Sequence, residues 1–122
     1  MERKTIKFLF IGLLFLNACY YDNEEDLYPT TAECVTDSMS FKNDIFPIIN
    51  NNCVGCHNSG ALQGGITMET YEQLTPYIES GSLLGSIKHQ SGYSAMPKDV
   101  DKMTNCQISK IEQWILQGAQ DN

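Results

Sequence analysis

Two cysteines three positions apart, followed at once by a histidine, stand near the middle of a short chain: Cys53-Val54-Gly55-Cys56-His57. Few patterns constrain a fold of this size more tightly. Thiols at this spacing can each add to one vinyl group of a single porphyrin, and the imidazole beside the second thiol then falls under the metal. The spacing is the signature of covalent c-type haem attachment, with Cys53 and Cys56 as thioether donors and His57 as the proximal iron ligand. Two other chemistries use similar residues. A zinc site could draw on Cys34, Cys53, Cys56 and Cys106, or take His57 in place of one thiolate. A thioredoxin-like redox pair needs the motif to open a helix after a strand, and no alternating β-branched run precedes Cys53.

The N-terminus separates these readings by compartment. Arg3, Lys4 and Lys7 give a positive start, and Phe8 to Leu16 is an unbroken run of large apolar residues and one glycine. That run is too short to cross a hydrocarbon core, which takes about 20 helical residues, and it has the form of a secretory h-region. It ends in Leu16-Asn17-Ala18-Cys19, which resembles the lipobox of bacterial lipoproteins. The resemblance implies that residues 1–18 are a lipoprotein signal peptide and that Cys19 carries a diacylglyceryl anchor. Residues 1–18 hold three cations and one anion, so their removal takes the net charge from −7 to −9. Haem of the c type is attached outside the cytoplasm, and exported chains seldom rely on four free thiolates. Both points favour haem over zinc. The expected location is the bacterial cell envelope, lipid-anchored and facing the periplasm or the cell surface.

Residues 19–33 cluster Asp22, Glu24, Glu25 and Asp26 with little to bury, and read as an acidic flexible tether. Its coil span is on the order of 20 Å, enough to hold a domain clear of lipid headgroups. The acidic run also resembles signals that send some lipoproteins to the cell surface; a plain solvated linker explains it equally well. The remaining domain is 34–122. An apolar core alone is marginal at this size, and a covalent staple or a cofactor commonly supplements it. The acidic balance, 15 Asp and Glu against 8 Lys and Arg, argues against nucleic-acid binding, which needs a basic face.

Helical periodicity runs through the domain. Ser40 to Asn52 places Phe41, Ile45, Ile48 and Ile49 at helical spacing, with Pro47 predicting a kink or a nearby start. Thr70 and Gln73 form a capping-box pattern ahead of Tyr71, Leu74 and Ile78, with Pro76 shortening or bending that helix and Gly81 ending it. Ser82 to Gln90 reads as a further short helix with Leu83, Leu84 and Ile87 inward. Thr104 with Gln107 caps the last helix, whose apolar face is Ile108, Ile111, Trp114 and Ile115 and whose stop is Gly118. Trp114 reads as a core residue. No strand of comparable length is evident, so the expected class is all-α.

An electron carrier needs a second axial ligand. Met96 is the favoured candidate, because Pro97 pushes it out of helical geometry and stiffens an extended loop. A thioether favours ferrous iron and raises the reduction potential. His89 would give bis-His ligation; Met68 and Met103 are the remaining candidates, and any of these methionines could instead fill a gap in the core.

Taken in order, Asp44-Ile45-Phe46-Pro47-Ile48-Ile49, the Cys53–His57 motif, Gly64-Gly65-Ile66, Met96-Pro97 and Ile111-Glu112-Gln113-Trp114-Ile115-Leu116-Gln117-Gly118-Ala119 resemble a class I cytochrome c domain, in particular the planctomycete-type subgroup. The resemblance covers about Ser40 to Asn122. It implies a small fold of three to five helices around one covalent haem c, held by Cys53, Cys56 and His57, with Met96 on the opposite face of the iron. Terminal helices cross in that fold, so Cys34 and Cys106 could be bridged, and an exported chain favours the bridge. The function it implies is one-electron transfer to redox partner proteins at the membrane, with a haem enzyme such as a peroxidase with an open sixth position as the alternative. A peroxidase would want a distal acid–base group, and His89 is the only spare histidine.

Overall fold

The computed structural model describes residues 34–122; the signal peptide expected over residues 1–18, Cys19 and the tether expected over residues 19–33 lie outside the described residues. Helix α1 is made of three consecutive segments, Phe41–Ile45, Phe46–Ile49 and Asn50–Val54. Ser40 opens it: its hydroxyl accepts from the Asn43 amide, and the Asp44 carboxylate accepts from the Ser40 amide at 2.9 Å. Pro47 lacks an amide, and in an ordinary α-helix its ring would press on the carbonyl four residues earlier. The turn ahead of it is widened instead. The amides of Ile45 and Phe46 reach back five residues, to the carbonyls of Ser40 and Phe41. The helix therefore passes through Pro47 with π-type turns on either side of its α-helical centre. Phe41, Ile45 and Ile49, four apart, form its buried stripe.

The other helices are α2, Tyr71–Glu79, α3, Ser82–Ile87, and α4, Asn105–Leu116; no strand occurs among the described residues. Thr70 caps α2 by accepting from the Gln73 amide, but the Gln73 side chain accepts from the Glu69 amide rather than closing on Thr70. Pro76 sits inside α2 without ending it, Gly81 stops the helix at φ 72°, and α3 ends at Ile87, three residues short of the Gln90 expected. α4 has the full reciprocal box between Thr104 and Gln107.

The core gathers one face from each helix. Ile45, Ile49, Leu74, Ile87, Ile111 and Trp114 are fully buried, with Met68 and Met103 packed among them. Trp114 stacks on Phe41 at 5.5 Å between centroids, and Tyr71 meets both rings edge-on. The polar tips are satisfied: Trp114 Nε1–H donates to the Gln120 carbonyl and Tyr71 Oη–H to that of Ala119.

The two ends of the domain are stitched together at one place. Cys34 and Cys106 form a disulfide with Cα atoms 5.6 Å apart. The Gln117 side chain donates to the Thr36 carbonyl and accepts from the Met39 amide, each at 2.9 Å. Asn122 accepts through its carbonyl from Ser40 Oγ and the Lys42 amide, and through Oδ1 from the Phe41 amide. These bonds occupy amides at the start of α1 that would otherwise lack partners.

Candidate functional site

The last turn of α1 carries the two-thiol motif out of the core. Cys53 is half-buried against the apolar cluster, and burial pushes its thiol up to about 11, so it stays protonated at neutral pH. Cys56 is exposed. Both thiols are free, whereas Cys34 and Cys106 are joined to each other. The site of Gly55 between the thiols is open, with no atom within 4 Å of where a Cβ would stand.

The turn is bound tightly to itself. The amides of Cys56 and His57 both donate to the Cys53 carbonyl, at 3.1 and 2.9 Å. Asn58 ties the helix end to the following turn: its Nδ2 donates to the carbonyls of Val54 and Gly55, and its Oδ1 accepts from the amides of Gly60 and Ala61. The Glu69 carboxylate accepts from the Ser59 amide at 2.9 Å, and the Met68 amide donates to the His57 carbonyl.

The His57 ring is oriented by a backbone group. Its Nδ1 lies 3.0 Å from the carbonyl oxygen of Gln63. A carbonyl only accepts, so Nδ1 carries a proton, and in the neutral ring Nε2 keeps its lone pair. That is the arrangement of a ligating imidazole, in which the second nitrogen is anchored and the first is free for a metal. Gln63 is set in place by its amide N–H, which donates to the Cys56 carbonyl, and by the left-handed residues around it: Leu62, Gly64 and Gly65, at φ 45°, 68° and 73°. Such conformations come at little cost to the two glycines.

Met96 lies on a different anchor. It is half-buried in the loop after α3, and its amide donates to the Ser86 carbonyl at 3.1 Å. Tyr93 packs against Gly85 so closely that a β-carbon there would stand within 2.5 Å of its ring atoms. His89 Nε2 is 3.0 Å from the Met96 carbonyl. The structure thus brings Cys53, Cys56 and His57 together in one turn, and Met96 and His89 together in one loop; among the described residues no hydrogen bond joins the two. Met68 and Met103 are committed to core packing. The zinc reading loses two of its four cysteines to the disulfide. Among the described residues, no three His, Cys, Asp or Glu side chains converge as metal ligands do.

Sequence reasoning did not pick out Gln63, Asn58 or Glu69. Gln63 acts through its backbone, and the only trace of it was the Gly64-Gly65 pair that shapes the turn.

The Tyr93 contact gives a test of how the Met96 loop is held. Gly85→Ala in an ordinary exposed helix stabilises by up to about 1 kcal/mol. Here the added methyl displaces the Tyr93 ring, and a loss of about 1–3 kcal/mol is expected. Denaturant unfolding reads the sign directly.

No family model, no curated protein and no solved structure matches this chain.

Proposed function

We propose that residues 34–122 form a single-haem c-type cytochrome that carries electrons, tethered to a bacterial envelope membrane through a lipid on Cys19. One observation carries the reading. Two free thiols three apart adjoin an imidazole whose Nδ1–H is anchored and whose Nε2 keeps its lone pair in the neutral ring, while the domain's other two cysteines are paired with each other. These residues fit haem c: two thioether donors, one prepared nitrogen ligand, and an open glycine between the thiols where the backbone can lie against a flat ring.

Cys53 and Cys56 would hold the group covalently, His57 would bind its iron through Nε2, and Met96 would be its other protein ligand, through sulfur. When bound, haem supplies one-electron chemistry at the iron. The polypeptide's part is to orient and to exclude. The Gln63 carbonyl fixes the rotation of the His57 ring. The Met96 loop is pinned to Ser86 and packed on Gly85 through Tyr93, and its soft sulfur would favour the ferrous state of a bound haem. With His57 and Met96 both given to holding the group, the chain would leave its iron to electron transfer rather than to a bound substrate.

A peroxidase needs an accessible sixth position and a free distal acid–base group. The only spare histidine, His89, already spends its Nε2–H on the Met96 carbonyl. Nothing in the site favours that alternative. Residues 34–122 carry nine carboxylates against five lysines, which suits a redox partner with a basic face, confined at the same membrane.

The test is the full chain matured in a host that attaches c-type haem. Expected are one haem per chain that survives denaturing electrophoresis and a far-red charge-transfer band in the ferric protein, diagnostic of methionine on iron. A colourless product overturns the haem reading. A pigmented product without the far-red band leaves haem attachment standing and removes Met96 from the iron.

A further inference from the structure

Three helices of this domain end on a residue with positive φ. α2 ends on Gly81 and α4 on Gly118, the residue type that adopts this conformation without strain. α3 ends on His89, at φ 56°. Its hydrogen bonds are those of a Schellman end: the His89 amide donates to the Ser86 carbonyl and the Gln90 amide to that of Gly85. The same pair closes α4, where Gly118 donates to Ile115 and Ala119 to Trp114. A β-carbon at this position is unfavourable, and glycine would serve the helix end better. The His89 side chain therefore stands where the backbone conformation favours glycine.

What it does is visible in its one ring contact. Nε2 lies 3.0 Å from the Met96 carbonyl, and since a carbonyl accepts, the imidazole is the donor. The Met96 amide donates at 3.1 Å to Ser86, the same carbonyl that closes the helix end. Both backbone polar groups of Met96 are thus tied to the last turn of α3, one through the chain and one through the His89 ring. Tyr93, between them, packs on Gly85 of that same helix.

We propose that His89 is a positioning residue for Met96: its imidazole N–H, delivered by a left-handed helix end, clamps the carbonyl of the axial-ligand residue. This rests on the reading of Met96 as the second iron ligand and deepens it. His89 itself stays off the metal. Without the clamp the loop keeps the Met96 amide bond, the Tyr93 amide bond to Gln90 and the Tyr93–Gly85 contact, and Met96 would give way to an external iron ligand more readily.

The test uses the full chain carrying its haem, as parent, His89→Gly and His89→Gln. Glycine relieves the strained φ and removes the clamp; glutamine keeps an N–H donor at similar reach. In His89→Gly, far-ultraviolet helicity is expected to be retained and the far-red band weakened. Imidazole is expected to bind the ferric form about five- to tenfold more tightly than in the parent, the size of effect one hydrogen bond supplies. His89→Gln is expected to restore both readouts. A His89→Gly variant with the parent's band and imidazole affinity overturns the proposal, as does a glutamine variant that rescues neither or a loss of helicity matching the loss of the band. If the parent itself carries haem but lacks the band, the Met96 reading fails and takes the clamp with it. That outcome is recognisable because it appears before any substitution is made.

Discussion

If the proposed haem is held as described, replacing Cys53 and Cys56 together by serine is expected to abolish covalent haem in the matured chain, the largest single effect anticipated for this protein. Serine hydroxyls are nearly isosteric with the thiols but cannot form a thioether, so the change isolates attachment from packing. The measurement is a haem stain after denaturing electrophoresis, read beside an immunoblot of the same lanes so that pigment is compared at equal amounts of chain. The single variants distinguish the two positions. Cys53 is half-buried against the core and Cys56 is exposed, so Cys56→Ser is expected to leave the remaining structure less disturbed. Stain retained at parental intensity in the double variant would show that the pair does not hold the group.

The second large effect is on stability. Cys34 and Cys106 close a loop with a sequence separation of 72 residues. On the loop-entropy account, a bridge of this length stabilises by about 4 kcal/mol. That is a large part of the 5–15 kcal/mol or so that holds a typical domain folded. The Cys34→Ala/Cys106→Ala double variant, which leaves no odd thiol behind, is expected to lose about that amount. At this size the thermal midpoint falls by about 20 °C. Denaturant unfolding of parent and variant under non-reducing conditions gives the number, and equal midpoints would refute it.

The parts of the fold that were legible in advance are those where one local rule acts without competition. α4 is the clearest case. Its cap, its Ile108, Ile111, Trp114 and Ile115 face and its Gly118 stop all point the same way, and each is found in place, with Ile115 only partly buried. α1 was harder, because Pro47 argues against a helix while Ile45 and Ile49 argue for one. Burial of that stripe prevailed, and the backbone adapted by widening a turn, a response that sequence spacing cannot display. At α2 the Gln73 side chain had two amides within reach and took that of Glu69. For the site, Cys53, Cys56 and His57 are visible as a pattern because side-chain identity defines them. The Gln63 carbonyl is invisible for the opposite reason: every residue has one, and only the fold decides which one faces the imidazole. His89 was noticed for its ring and read as a rival ligand for the metal. The left-handed helix end that directs the ring at Met96 belongs to the conformation and not to the residue type.

The stitching of the two ends has a mechanical meaning. A pull arriving along the chain from ahead of Cys34 meets a covalent bond before it meets any hydrogen bond of the domain. The load crosses directly to Cys106 at the start of α4, so the segment between, which bears the thiols, the imidazole and Met96, lies within a closed ring and is shielded from traction. Stretching alone cannot peel away α1 from the free end while that bond is intact.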